Sequence, residues 1–366
     1  MSKERTAIGI WLYIPLLIIP VLSYGLLNLP NYAVAVMGAN GYLGPLLAAL
    51  IILPGLVAIY LLARRFPGQT IIEQGKSILG WLGTITGIVY LVVNISILTM
   101  FTRDICNLVH AYFLVKTPLY IIVLVYLFSA AYVASRGIET IARINSFVML
   151  PALAVLIFLV AISYQNISWT RVLPILSPHI SNYFKGGMAS VYSYYLLGVS
   201  ALTLPFLKPL KAFPRIAGGS LAFLAVFYVF FSLCTIGIYG HKYLLRFGWP
   251  ALEMVHPTNF PYLLLEQAGL LMLIDWIAMI LIGTGYYYYS ISLGSSQVSR
   301  TFDYKKWVWI LLPIKFFMIS APHNVTETKV VVEFVAKFGW IVIFAYPIIL
   351  WLIAVVQRKR GPANAS

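Results

Sequence analysis

The sequence predicts an all-α polytopic membrane protein whose ten transmembrane helices form a five-plus-five inverted repeat with broken helices 1 and 6. Three observations lead to this fold class: the composition, the recurrence of long apolar runs, and a short motif repeated half a chain apart. Of the 366 residues, 61% are hydrophobic and only 10% are charged, whereas about a quarter of the residues in a soluble domain are charged. Such a chain cannot cover a globular surface with polar groups, which excludes a soluble enzyme and a disordered protein.

Apolar runs long enough to cross a bilayer recur about ten times, since one span takes about 20 apolar residues. The first run holds Pro15 and Pro20 and is longer than the apolar core of a signal peptide, so we expect a retained first helix. The ninth run is short and contains Lys315. The runs cover approximately residues 8–35, 42–62, 80–110, 119–134, 144–163, 186–205, 216–239, 263–293, 307–321 and 338–356.

The net charge of +15 arises from 25 Lys and Arg against 10 Asp and Glu. These basic residues are scattered between the apolar runs and form no basic stripe, which argues against nucleic acid as a partner. If the N-terminus is cytoplasmic, the cytoplasmic side holds 16 of the 25, as the positive-inside rule requires. We therefore expect both termini in the cytoplasm, with residues 358–366 as a basic tail. The sixteen are Lys3, Arg5, Arg64, Arg65, Lys76, Arg136, Arg143, Lys208, Lys211, Arg215, Arg300, Lys305, Lys306, Arg358, Lys359 and Arg360.

Metal and cofactor chemistry is not predicted. The two cysteines, Cys106 and Cys234, cannot form a disulfide framework or a metal site, and the five histidines show no metal-ligand spacing. The sequence has no Walker-type glycine loop and no recognisable nucleophile elbow. We therefore expect a protein that is not an enzyme and uses no cofactor.

A four-residue motif near the end of the first run, Leu27-Asn28-Leu29-Pro30, is echoed by Leu202-Thr203-Leu204-Pro205 at the end of the sixth, 175 residues later. An offset of five helices gives the two halves opposite orientations, which is the inverted-repeat plan of many secondary transporters. The repeats would cover about 8–163 and 185–357 of one membrane domain, 1–366.

Glycine and proline interrupt the two helices that carry this motif, at Gly25–Pro30 and Gly198–Pro205. Lipid cannot satisfy the backbone groups that such residues free, so matched interruptions predict a binding site at the membrane midplane. Kinks and close helix packing are the alternative explanation. Asn94, in the middle of the third helix, is either a ligand contact or an interhelical hydrogen bond. The candidate contacts on the two interrupted helices are Gly25, Leu26, Leu27, Asn28, Ser193, Tyr194, Leu197 and Gly198.

Three charged residues lie inside predicted spans. Asp275 and Lys315 could pair and hold the eighth and ninth helices together, and a proton relay is the sharper alternative. Arg103 is expected to snorkel to the interface from the outer end of the third helix, because it cannot face its neighbour Asp104. The four consecutive residues Tyr286–Tyr289 cover every face of a helix, which favours an interfacial aromatic belt near its inner end.

Several short segments, spread over nearly the whole chain, occur in a characteristic order. They are Arg65-Phe66-Pro67-Gly68-Gln69-Thr70-Ile71-Ile72-Glu73, Leu79-Gly80-Trp81-Leu82-Gly83, Thr117-Pro118, Gly137-Ile138-Glu139-Thr140-Ile141-Ala142-Arg143, Leu173-Pro174-Ile175-Leu176, Leu204-Pro205-Phe206-Leu207-Lys208 and Trp249-Pro250-Ala251-Leu252-Glu253. With these segments the chain resembles the B subunits of spore germination receptors, a family in the amino acid–polyamine–organocation superfamily. The resemblance implies ten helices in a five-plus-five inverted repeat and a ligand close to Ile97 and Tyr287, and Thr102-Arg103 matches a pair of residues in the family.

The same resemblance implies a subunit in the inner membrane of a bacterial spore, assembled with a larger A subunit and a lipoprotein C subunit. Such B subunits sense a nutrient germinant, often an amino acid. The chain departs from the family after Glu266, where Gln267-Ala268-Gly269 follows, and at Leu197-Gly198, where many members carry a glutamate. Both departures make the predicted site less charged, so carbonyls and hydroxyls would hold an α-amino group. A cation-coupled amino acid transporter is the alternative function, because the fold serves both.

Overall fold

The computed structural model describes residues 7–173, 179–253, 268–300, 303–322, 327, 334–335 and 337–361. Over these residues, a helical segment corresponds to each of the ten predicted spans. Five helical stretches are long and apolar enough to cross a membrane: Leu29–Arg65, Trp81–Tyr112, Ile138–Phe158, Leu210–Tyr239 and Lys337–Val356. The first of them joins the end of helix Ile10–Met37 to helix Gly44–Arg65. Two shorter apolar stretches are Ile10–Leu26, the first part of that helix, and Leu119–Ser135.

We number the membrane helices in chain order. Eight are continuous α-helices: helix 1 (Ile10–Met37), helix 2 (Gly44–Arg65), helix 3 (Trp81–Tyr112), helix 4 (Leu119–Ser135), helix 5 (Ile138–Ser163), helix 7 (Phe213–Tyr239), helix 8 (Ala268–Ser299) and helix 9 (Tyr304–Ser320). Helix 10 (Lys337–Val356) contains a π-helical turn at Ile341–Ala345.

Helix 6 is the irregular one. It consists of an α-helix Ile180–Ser190, a 3-10 stretch Val191–Val199, one α-turn Ser200–Thr203 and a final 3-10 turn Leu204–Phe206. The expected break is therefore present: its two 3-10 segments overlap the two ends of the predicted interruption Gly198–Pro205, and the first of them begins earlier, at Val191. All nine residues of the 3-10 stretch are buried. A 3-10 stretch inside a longer helix often marks a hinge.

Helix 1 differs from the prediction, because it continues as an α-helix through Gly25 and Pro30. The predicted unwinding of this helix is wrong. A proline removes a single backbone donor, and neighbouring groups can supply the missing bonds in a membrane helix. Other helices also bond to this segment: Trp276 Nε1 donates to the Ser23 carbonyl at 2.7 Å, and the Tyr228 hydroxyl donates to the Val21 carbonyl. Neither is a carbonyl that a proline frees, since those lie four residues before each proline, at Trp11, Leu16 and Leu26. Side chains from helices 8 and 7 thus support this part of helix 1.

Helix 8 lies at the centre of the bundle, and all four tyrosines Tyr286–Tyr289 are at most 3% exposed. The aromatic-belt interpretation is therefore wrong. The helix contacts helices 1, 3, 4, 5, 6 and 9, so protein rather than lipid headgroups surrounds these four tyrosines. Tyr286 bonds to Thr203 of helix 6 at 2.7 Å, and Tyr288 donates to the Val308 carbonyl of helix 9 at 2.6 Å.

A short helix at Ile71–Leu79 lies between helices 2 and 3, outside the predicted spans. It starts at a capping box, in which the Thr70 N–H donates to Glu73 Oε2 at 2.9 Å. It ends at Gly80, whose φ of 64° suits a glycine at a helix C-terminus. The Thr-x-x-Glu spacing was the sequence signal for this helix.

Candidate ligand site between helices 1, 3, 6 and 8

Gly25 lies at the contact between helix 1 and the 3-10 stretch of helix 6. A Cβ atom built on Gly25 would stand 3.1 Å from the Ser193 carbonyl oxygen and would overlap the hydroxyl of Tyr228 from helix 7. The two segments that the sequence paired therefore lie against each other here. The space beside Gly25 is filled by the tip of the Tyr228 side chain and is bounded by the Ser193 carbonyl oxygen.

Aromatic side chains of the 3-10 stretch surround this contact. The Tyr194 and Tyr228 ring centroids are 5.4 Å apart, and the Tyr192 ring lies 4.8 Å from that of Phe101 on helix 3. The Tyr194 hydroxyl donates to the Pro45 carbonyl of helix 2 at 3.0 Å. Of these rings, Tyr228 lies directly beside Gly25, and Tyr194 packs against it.

Asn94 and Tyr287 are in direct contact, as the Tyr287 hydroxyl donates to Asn94 Oδ1 at 2.5 Å. The Asn94 amide donates to the Tyr90 carbonyl at 2.7 Å, and the Tyr90 hydroxyl donates to the Gly198 carbonyl at 3.1 Å. All four residues are buried. Of the two roles predicted for Asn94, the interhelical hydrogen bond is the one observed, and it joins helix 3 to helix 8, while the Tyr90 hydroxyl joins helix 3 to helix 6.

Gly198 serves close packing, because a Cβ atom there would overlap the Ile343 side chain of helix 10. Leu26, Ile97 and Leu197 are each at most 1% exposed within the bundle. The predictions for the side chains of Leu27 and Asn28 lie outside the described part of the chain, as does the departure after Glu266.

The sequence analysis missed a hydroxyl cluster between helices 1, 4 and 8. Tyr24 and Tyr126 hydroxyls are 3.2 Å apart, and Tyr126 bonds to Thr284 Oγ1 at 2.6 Å. Tyr228, beside Gly25, was missed too, although its place in the middle of the seventh apolar run was a signal. A phenol at that depth needs a hydrogen-bond partner. These hydroxyls are bonded within the protein, to one another in the cluster and to the Val21 carbonyl in the case of Tyr228, so a ligand would have to replace these bonds.

Asp275 and Lys315 do not pair, so that hypothesis is wrong. Lys315 is fully buried with its Nζ 3.9 Å from the Tyr288 ring centroid. Tyr288 is thirteen residues beyond Asp275 on the same helix, a distance of about 20 Å at 1.5 Å per residue. Within the described residues, neither Lys315 Nζ nor Asp275 Oδ2 has a hydrogen-bond partner. The Tyr288 ring is the observed neighbour of the ammonium, in a cation–π arrangement.

Arg103 does not snorkel to the interface, and that interpretation is wrong as well. It is 7% exposed, and its guanidinium donates to the carbonyls of Ile319 at 2.8 Å and Pro322 at 3.1 Å. These carbonyls stand at and just beyond the C-terminus of helix 9, where a cation complements the helix dipole. Arg103 thus links helix 3 to the end of helix 9 by two hydrogen bonds.

Substituting Arg103 by lysine is expected to lower the free energy of unfolding by roughly 1–3 kcal/mol, because an ammonium cannot reproduce the forked pair of bonds. Thermal unfolding in detergent measures the change. The matched control is Arg143→Lys, since Arg143 forms an exposed pair with Glu139 at 2.8 Å and such pairs contribute about 0.5 kcal/mol or less. Equal effects of the two substitutions would contradict a special role for Arg103.

Comparison with known proteins identifies the family. Residues 10–328 match the family model described as Spore germination protein. The chain belongs to the spore germination protein family. Its relatives include Spore germination protein YndE of Bacillus subtilis (strain 168), 24% identical over 346 residues, which are 93% of this chain and 94% of YndE. Spore germination protein B2 of the same organism is 20% identical over 93% of each chain, and A2 is 21% identical over 98% and 99%.

Solved structures share the fold of this family member. A crystal structure of MhsT in complex with L-phenylalanine matches with a TM-score of 0.70 and 13% identity, over 98% of this chain and 91% of MhsT. The nucleobase-cation-symport-1 transporter Mhp1, closed around bromovinylhydantoin, matches with a TM-score of 0.62 and 14% identity, over 98% and 81%. The predicted class, a polytopic α-helical membrane protein with a transporter-type fold, is confirmed, with the exception noted for helix 1.

Proposed function

We propose that this chain is the nutrient germinant-sensing membrane subunit of a spore germination receptor. It binds a small molecule at the membrane midplane, between helices 1, 3, 6 and 8. The observation that carries the proposal is the contact between the buried 3-10 stretch of helix 6 and Gly25 of helix 1, which a single side chain, Tyr228, occupies. Membership of the spore germination protein family supports the same conclusion.

The chemistry of the contact favours an amino acid as the germinant. Ring faces and carbonyl oxygens attract an ammonium group, while the aromatic side chains accept an apolar side chain. The similarity to MhsT, whose structure contains L-phenylalanine, agrees with this choice. In binding, the ligand displaces the Tyr228 hydroxyl from beside Gly25. The Val21 carbonyl, which accepts that hydroxyl's hydrogen bond, then becomes available to the ammonium.

Binding becomes a signal when it changes the balance between two arrangements of the bundle. The 3-10 stretch is the element suited to this, because conversion to an α-helix would change its length and rotate its rings. We propose that an A subunit and a lipoprotein C subunit receive the change in the inner membrane of the spore. Both termini would face the cytoplasm, consistent with the placement of basic residues.

Germination of spores that lack this chain tests the function. We expect such spores to lose the response to one compound in a panel of amino acids, sugars and nucleosides, and to regain it when the chain is restored. Uptake of the same radiolabelled compound by vesicles that contain the purified chain separates the sensor from the cation-coupled amino acid transporter. Saturable uptake driven by an ion gradient would contradict a sensor that only binds. An unchanged response to every compound would contradict the receptor role.

A further inference from the structure

A groove of about 860 Å³ lies away from the candidate ligand site, between the start of helix 1 and the start of helix 7. Isoleucines line its wall, among them Ile14, Ile18 and Ile216. Backbone hydrogen bonds connect the segment that precedes helix 1 to the segment that precedes helix 7. The Ile8 N–H donates to the Phe206 carbonyl at 2.7 Å, and the Lys208 N–H donates to the Ile8 carbonyl at 3.0 Å. The groove is therefore a fixed feature of this end of the bundle.

One end of the groove is basic. Lys211 and Arg215 line it and are exposed. Trp11, also a lining residue, is 83% exposed, which is the usual setting of a tryptophan at the level of lipid headgroups. The groove thus has cations and an interfacial aromatic residue at its mouth and hydrocarbon side chains behind them.

A buried hydroxyl points to a ligand with polar atoms below the headgroup. Ser220 lines the groove and is 3% exposed, and its Oγ has no hydrogen-bond partner among the residues that the structure describes. It follows Arg215 by five residues, which places it about 7 Å deeper along helix 7. A phospholipid carries its ester oxygens at a comparable distance below its phosphate.

An apolar track continues from the groove along helix 7. Gly219, Ala222, Val226 and Phe230 recur at helical spacing and are exposed, with Val226 67% and Phe230 48% exposed. Arg215 precedes Gly219 by one turn on the same face. A basic end followed by an exposed apolar stripe is complementary to an anionic headgroup with its acyl chain.

We propose that this groove binds one molecule of an anionic phospholipid. Lys211 and Arg215 contact the phosphate, the Ser220 hydroxyl donates to an ester oxygen, and one acyl chain follows the track from Gly219 to Phe230. The charge at the mouth selects anionic over zwitterionic lipid. This site is independent of the germinant, so its test needs only the purified chain.

Two neighbouring glycines provide a matched pair of variants. Gly218 and Gly219 are both exposed, and a Cβ atom on either meets no described atom within 4 Å. Gly219 lines the groove, while Gly218 is not among the lining residues. Leucine should therefore fit at both positions with the same gain in helix propensity, and only Gly219→Leu should fill the groove.

The experiment measures lipid retained by the purified full-length chain. The chain is incubated in detergent with dioleoylphosphatidylglycerol or dioleoylphosphatidylcholine, washed, and examined by native mass spectrometry. We expect roughly ten- to thirty-fold preferential retention of phosphatidylglycerol, from two basic residues near an anionic headgroup. Gly219→Leu should abolish retention and Gly218→Leu should leave it unchanged. Lys211→Gln with Arg215→Gln should remove the preference, whereas Lys185→Gln with Lys242→Gln, exposed lysines elsewhere, should keep it.

Equal retention of the two lipids, or equal behaviour of the two glycine variants, would overturn the proposal. Soluble glycerophosphate distinguishes a lipid site from a site for free phosphate. If glycerophosphate at millimolar concentration does not displace phosphatidylglycerol, the result supports a lipid site, because glycerophosphate has no acyl chain to contact the groove. Effective competition would overturn the assignment of a lipid.

Discussion

Replacing Gly25 with valine is expected to abolish germination in response to the germinant while the chain still accumulates in the spore membrane. The valine side chain would occupy the space that Tyr228 now fills and would approach the Ser193 carbonyl, at 3.1 Å already for a Cβ atom. Overpacking of this kind costs up to about 3 kcal/mol, and the same loss in ligand binding would raise the half-saturating concentration roughly 100-fold. Germination rate against germinant concentration measures the effect, with membrane abundance checked by immunoblot.

The matched control is Gly218→Val on helix 7, where no described atom lies within 4 Å of an added Cβ. We expect this variant to germinate normally. A normal dose response of Gly25→Val at normal abundance would remove Gly25 from the site. Loss of the protein itself would favour the close-packing explanation for this glycine. In that case, recovery of abundance in Gly25→Val combined with Tyr228→Leu would identify Tyr228 as the group that clashes.

Replacing Tyr288 with leucine is expected to destabilise the chain by roughly 3 kcal/mol, because it removes the ring that faces a buried ammonium. Lys315 Nζ lies 3.9 Å from that ring and is fully buried. Among the described residues it has no hydrogen-bond partner to compensate. Thermal unfolding of the purified chain in detergent measures the loss.

Two further variants separate the ring from the hydroxyl of Tyr288. Tyr288→Phe keeps the ring and loses the bond to the Val308 carbonyl, so it should cost only about 1 kcal/mol. Tyr288→Leu combined with Lys315→Met removes ring and charge together and should recover most of the lost stability. If the double variant is as unstable as Tyr288→Leu alone, the cation–π contact does not account for the stability that Tyr288 contributes.

The sequence paired two segments that are in contact in the structure, and their role as a ligand site stays a prediction. Ser193, Tyr194 and Gly198 lie within the 3-10 stretch of helix 6, and Gly25 contacts that stretch. Glycine and proline patterns predict, from local composition alone, where an α-helix is prone to interruption. They do not predict whether the helix is interrupted once it packs in the bundle. Helix 1 continues through Gly25 and Pro30, and Trp276 and Tyr228 of two other helices donate to its Ser23 and Val21 carbonyls.

The sequence by itself determined the class of protein, the approximate limits of the spans and the family. Each of these depends on local properties: the free energy of transferring a window of residues into lipid, and short motifs in a fixed order. Only the tertiary structure decided the partners of buried polar groups. Lys315 faces Tyr288 instead of Asp275, Arg103 contacts the end of helix 9, and Tyr286–Tyr289 are buried on every side. A polar group in a membrane must find a partner, and which partner lies within reach depends on how distant helices pack.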